Sequence, residues 1–359
     1  MQTGSQQLHT YLPVLEGKRV GLFINHTAVI GHASLVDLLV SLKVNVTTIY
    51  SPEHGFRGKV PDGAKINDEV DPKTGIPVIS LYGKSYKATP EQLKNVDVVV
   101  FEIQDVGTRF FTYISSMHYM MEACAENKKI MIVLDRPNPN AFVDGPILKP
   151  ELSSFIGMHP IPIAHGLTIG ELANMINGEG WLKDKKKCDL VVIPMVNYTH
   201  GDSVNLPVSP SPNLPNNHAI RLYPYMCLFE GTALSIGRGT DNPFEFVGHP
   251  DLKNQPFTFT PVDKPEMSMD PKLEGQKCNG LDLRKEKPER KIALKHLIDM
   301  YNQFPDKTKF FIPYFDKLAG TPELKEQIAK GMTEEEIRAT WQKDLEAYKK
   351  MREKYLLYP

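Results

Sequence analysis

The chain of 359 residues has no excess of charge of either sign: 42 Lys and Arg stand against 43 Asp and Glu, for a formal net charge of -1. So balanced a surface makes no long-range field to gather a polyanion, and nucleic acid is not an expected partner. Long apolar runs are missing too. None approaches the roughly 18 residues that a bilayer-spanning helix requires, and the N-terminus lacks the basic-then-apolar layout of a signal peptide. Cysteine is scarce. Cys124, Cys188, Cys227 and Cys278 are far apart and form no C-x-x-C pair, so neither a zinc site nor a disulfide framework is expected. The histidines have no H-E-x-x-H spacing, there is no G-x-S-x-G elbow, and no glycine-rich run matches a P-loop or a dinucleotide fingerprint. The expectation is an active site with no metal and no cofactor.

What is present is ordinary for a folded protein, with 41% hydrophobic and 24% charged residues. The length exceeds that of one compact domain and predicts a large domain with a smaller one. Val20 to Ile24 reads as a strand. The polar Asn25-His26-Thr27 follows, then Leu35, Leu38, Leu39 and Leu42 at helical spacing. Val46 to Tyr50 is a second strand, ending at the Pro- and Gly-punctuated turn Ser51-Pro52-Glu53-His54-Gly55. Thr89-Pro90 opens a short helix before the strand Val96 to Phe101. Ile114, Met117, Met121 and Cys124 mark a helix that leads to the strand Ile130 to Leu134. Thr168 and Glu171 form a capping box, and Leu190 to Ile193 is a further strand. Strands alternating with helices predict a parallel sheet.

Pro207 to Pro215 holds four prolines in nine residues and breaks the pattern as a linker or a functional loop. Beyond it lie an apolar segment, Phe229 to Ile236, a polar Pro-rich stretch and three helical patterns. The first carries Leu294 and Leu297, the second opens at Thr321-Pro322, and a long third runs from Thr333 through Trp341 to Tyr348. The expected division is residues 1–215 and 216–359.

Open parallel sheets place ligands beyond the carboxyl ends of their strands. Three strand-end clusters therefore stand out: Glu53 with His54 and Arg57; Glu102 with Gln104, Asp105 and Arg109; and Asp135 with Arg136 and Asn138. Glu53 beside an imidazole is suited to general acid or base work, or else it caps its own turn or pairs with Arg57. The acids near Arg109 serve chemistry or hold that arginine in place. His165 also follows an apolar run. Glu230, Arg238 and Asp241 occupy a glycine-permissive stretch that reads either as an anion site or as a turn closed by an Arg238–Asp241 pair.

In order, the motifs SPEHGFRG from Ser51, FEIQDVGTRFFTYIS from Phe101, LDRPNPN from Leu134, HGLTIGELA from His165, SPSPNLP from Ser209 and FEGTALSIGRGTDNPFE from Phe229 resemble the exo-β-N-acetylmuramidase family of glycoside hydrolases. The resemblance covers nearly the whole chain. It implies a Rossmann-like parallel sheet domain, a smaller mixed α+β C-terminal auxiliary domain and an active-site cleft between them. It also implies release of N-acetylmuramic acid from the non-reducing end of peptidoglycan fragments, in a periplasmic or secreted setting. The family's catalytic glutamate falls on Glu53.

A glycosidase usually needs a second carboxylate, for which Asp105, Glu230 and Asp241 are the candidates, unless the substrate's acetamido oxygen attacks instead. Glu102 replaces the family's commoner Asp and is less suited to fine positioning. Muramic acid carries a lactyl carboxylate, which calls for a guanidinium from Arg57, Arg109, Arg136 or Arg238, with Arg57 and Arg238 ranked first. Tyr113, Asn213, His54, Gln104, Asp135, Asn138 and His165 complete the expected substrate-binding set. Two rival readings are a nucleotide-dependent oxidoreductase, disfavoured by the missing glycine fingerprint after Val20 to Ile24, and a non-catalytic glycan-binding protein.

Overall fold

The computed structural model describes residues 1–53, 55–56, 69–265 and 267–359. His54 and Arg57 lie outside the described residues. Six parallel strands, Val20–Ile24, Val46–Ser51, Pro77–Ser80, Val98–Glu102, Ile130–Leu134 and Asp189–Ile193, form the main sheet. Numbered along the chain, they lie in the order sixth, fifth, fourth, first, second, third, and the short strand Glu69–Val70 adds an antiparallel edge beside the third. This is the doubly wound order of nucleotide-binding sheets.

The near-continuous apolar strands follow from burial on both faces. Side chains of period two sort to opposite sides of the sheet. Leu22, Ile24, Val98, Val100, Ile132 and Leu134 pack with Tyr11, Leu15, Leu35 and Leu39. The alternate residues Phe23, Val99, Phe101, Met131 and Val133 join the larger core with Ile114, Met117, Leu172 and Ile176. Helices Leu8–Leu15 and Leu35–Ser41 thus cover one face, and helices Tyr113–Glu126 and Ile169–Gly178 the other. The Thr168–Glu171 capping box forms as expected.

The C-terminal part carries a three-stranded antiparallel sheet, in which Cys278–Asp282 lies between Phe246–His249 and Phe257–Phe259. These strands fall in the polar Pro-rich stretch, where alternation is too weak to announce them. The long helix expected from Thr333 is two helices, Glu334–Thr340 and Gln342–Arg352, meeting at Trp341. The cause is an anchor. Trp341 Nε1 donates to Asp144 Oδ1 at 3.1 Å, and Arg338 pairs with the other oxygen of the same carboxylate.

Arg109 joins the two parts of the molecule. Its side chain is wholly buried, and its guanidinium donates to the carbonyls of Pro146 and Ile161 on one side and of Leu318 and Ala319 on the other, at 2.8–2.9 Å. The last two carbonyls close helix Tyr314–Ala319, where the helix dipole is negative and receives a cation favourably. Burial pulls the guanidinium down to about 9, which leaves it charged at neutral pH. Gly320 sits at φ +79, and a Cβ there would lie 2.5 Å from Arg109 Nη2. The neighbouring acids do not hold this arginine, as the sequence suggested; backbone carbonyls do. Arg109→Met should therefore lower stability by about 3 kcal/mol or more, since it strands several buried carbonyls. Urea unfolding measures the loss.

Candidate active site

Glu53 follows the second strand in a tight turn closed by Gly55 N–H to Pro52 O at 3.1 Å, with Gly55 at φ +73. The residue is only 7% exposed. Tyr82, just past the third strand, donates its hydroxyl to Glu53 Oε1 at 2.6 Å, and Thr112 Oγ1 donates to Oε2 at 2.8 Å. Thr112 is the residue that precedes helix Tyr113–Glu126. A hydroxyl can donate to a carboxylate or accept from a carboxylic acid. This grip therefore serves either protonation state, as a group that gives a proton and later takes one back requires.

Glu53, Tyr82 and Thr112 line a cavity of about 210 Å³ whose other wall belongs to the C-terminal part, with Glu230, Arg238, Phe244 and Tyr314. Arg238 Nε binds Glu230 Oε1 at 2.6 Å, and its guanidinium lies 5.2 Å from the centre of the Phe244 ring. Glu230 and the ring thus fix the direction of the arginine. Lys272 donates to the carbonyl of Glu230 at 3.2 Å and to that of Thr232 at 2.6 Å, and burial lowers its ammonium from the ordinary lysine range.

Pro207 to Pro215 is a loop of this cavity, contributing Ser211, Asn213 and Leu214. Tyr113 OH holds it through Pro210 O at 3.1 Å. Asn213 is 2% exposed; its Nδ2 donates to Met267 O at 2.8 Å, and its Oδ1 has no partner among the described residues. A buried acceptor of this kind in a cavity wall can take an N–H from a bound molecule.

Of the residues expected from sequence, the cavity gathers Glu53, Tyr113, Asn213, Glu230 and Arg238. The other expected residues that the structure describes do not line it. Asp105 Oδ2 accepts from Gly107 N at 2.6 Å and faces His165 Nε2 at 3.7 Å, and Asp105 is not among the residues that line the cavity. Gln104 donates to the carbonyls of Asp105 and Pro137, and Asn138 to that of Leu167. Arg136 pairs through Nε with the wholly buried Glu102 at 2.5 Å and donates to Thr27 O, while only its backbone N–H reaches Asp135. Asp135 takes Thr168 Oγ1, Gly170 N–H and the hydroxyl of Tyr358. Burial still raises it to about 6. Asp241 is exposed and pairs with Lys264, so the expected Arg238–Asp241 turn is replaced by the Arg238–Glu230 pair.

Tyr82, Thr112, Ser211, Phe155 and Tyr314 were not singled out by sequence. Thr112 had a signal, as a hydroxyl at a helix start within FFTYIS; Tyr82 had none. A larger, mostly apolar cavity of about 620 Å³ beside Leu324, Trp341 and Tyr348 holds none of the candidate residues.

After the first strand, Asn25 Oδ1 accepts from both Thr27 N–H and Thr27 Oγ1, and Thr27 Oγ1 accepts from Gln104 N–H. The turn where a dinucleotide-binding sheet receives pyrophosphate is thus closed by its own side chains. A doubly wound sheet without that phosphate turn, carrying a hydroxyl-gripped glutamate in a cavity sized for one small polar ring, has the character of a glycoside hydrolase site. The chain belongs to the exo-β-N-acetylmuramidase NamZ family: residues 20–218 match the family's N-terminal model and residues 221–358 its C-terminal model. It is 41% identical to the peptidoglycan β-N-acetylmuramidase NamZ of Bacillus subtilis, over all of this chain and 91% of that protein. Two solved structures of DUF1343 family proteins from Bacteroides fragilis are also similar. One is 44% identical with a TM-score of 0.93, covering 99% of this chain and 98% of that one; the other is 33% identical with a TM-score of 0.83, covering 100% and 99%.

If the hydroxyl grip sets the Glu53 carboxyl, Tyr82→Phe and Thr112→Val should each lower kcat by about tenfold, the worth of one hydrogen bond to a charged group. Thermal melting should hardly move. Unchanged kcat in both variants would mean that the two hydroxyls do not position the carboxyl.

Proposed function

We propose that the chain releases N-acetylmuramic acid from the non-reducing end of peptidoglycan fragments, with Glu53 as the general acid that protonates the departing oxygen. The observation that carries this reading is the Glu53 carboxyl held by Tyr82 and Thr112 in the wall of a cavity of about 210 Å³, a size suited to one pyranose at a chain end. Once the leaving group has gone, the same carboxylate takes a proton from the incoming water.

Arg238 is the cation proposed for the lactyl carboxylate, because it lines the cavity and is pre-oriented by Glu230. Among the carboxylates weighed as a partner to Glu53, Asp105 and Asp241 do not line the cavity and Glu230 does. Glu230 is already committed to Arg238. The proposal therefore assigns it to orienting the arginine and gives the attack on the anomeric carbon to the substrate's own acetamido oxygen. The unmet Oδ1 of Asn213 is the proposed acceptor for the acetamido N–H, which would aim that oxygen. A peptidoglycan substrate also supports a periplasmic or secreted location.

Glu53→Gln should abolish release of muramic acid from a disaccharide while leaving the fold intact by circular dichroism; substantial residual turnover would sink the assignment. Arg238→Met should raise KM for muramic acid glycosides by about 100-fold, the worth of a forked charge-assisted contact. Slow turnover of the matching glucosamine glycoside, which lacks the lactyl group, should change far less, and an equal effect on both would remove Arg238 from lactyl recognition.

A further inference from the structure

Four aromatic rings lead outward from Glu53. Tyr82, whose hydroxyl grips the carboxyl, lies with Phe155 in the cavity wall. Tyr86 stacks on Phe155 with ring centres 4.1 Å apart at 28°, and meets Tyr82 edge-on at 5.7 Å. Tyr119 extends the group, nearly parallel to both Tyr86 at 6.2 Å and Phe155 at 6.4 Å. All four are partly exposed. Tyr82 and Tyr86 come from the segment after the third strand, Tyr119 from helix Tyr113–Glu126, and Phe155 from the loop around residue 155. Three separate segments thus supply one apolar surface that the hydrophobic core does not consume. A cluster of partly exposed aromatics beside a cavity has the make-up of a ligand-binding groove.

We propose that Tyr86, Phe155 and Tyr119 form the subsite for the leaving-group sugar, the pyranose on the far side of the bond that Glu53 protonates. The cavity behind Glu53 holds the ring to be released, so the next ring must leave past the side of the carboxyl where the departing oxygen sits. Tyr82 stands at that point, contacting Glu53 with its hydroxyl and Tyr86 and Phe155 with its ring. A pyranose presents a face of C–H groups that packs on an aromatic ring, and rigid tyrosines supply that contact with little loss of side-chain entropy.

The inference rests on the muramidase reading and is tested separately from it. Wild type, Tyr86→Ala and Tyr119→Ala are compared on a muramic acid disaccharide and on N-acetylmuramyl fluoride, which has no leaving-group sugar. Each alanine variant should lose about tenfold or more in kcat/KM on the disaccharide and keep its rate on the fluoride. Tyr119→Phe, which retains the ring, should recover most of the disaccharide rate. Equal losses on both substrates, or no loss on the disaccharide, would overturn the subsite. If wild type cleaves neither substrate, it is the muramidase reading that fails instead.

Discussion

The grip on the Glu53 carboxyl is the interaction on which the rest of the site depends. One oxygen is held from the segment after the third strand and the other from the start of helix Tyr113–Glu126. The carboxyl can therefore be placed only when the second and third strands are paired in parallel and that helix is packed on the sheet. A carboxyl held in this way cannot swing to meet solvent. Its fixed direction is what general acid chemistry needs from a fold, since the proton must be delivered along one line to one oxygen.

The second requirement is that the cavity has two walls from distant parts of the chain. Glu230, Arg238, Phe244 and Tyr314 face Glu53 across it, and the two parts must not drift. Arg109 secures them by tying carbonyls near residues 146 and 161 to the end of helix Tyr314–Ala319. The chain end adds a second tie: Tyr358 donates to Asp135, and Leu357 N–H to Glu171. Charged groups buried for this purpose are costly unless every hydrogen bond is met. Many polar residues at the strand ends likewise find hydrogen-bond partners within the frame.

The parallel sheet, its helices and the caps at Thr89 and Thr168 were legible because period-two and period-3.6 patterns are local. The position of Glu53, in a turn after a strand between Pro52 and Gly55, was legible in the same local way. Strand-end position could not separate frame from site. Glu102, Asp105, Asp135 and Arg136 follow strands just as Glu53 does, and only tertiary contacts show that Glu102 answers Arg136 and that Asp135 answers Tyr358. Arg109 looked like a ligand for an anion because no sequence pattern reveals four backbone carbonyls converging on one guanidinium. Tyr82 and Phe155 were missed because their role arises from rings brought together across the fold. The break at Trp341 was hidden for a similar reason, since Asp144, which fixes it, lies nearly two hundred residues away.

The most direct test of the account compares Glu53→Gln with wild type on muramic acid glycosides of graded leaving-group acidity. A general acid matters most where the departing oxygen is basic. The loss in kcat/KM should therefore be large for a sugar leaving group and shrink steadily toward a dinitrophenyl one, which departs without a proton. A loss of the same size for every leaving group would contradict the role assigned to Glu53.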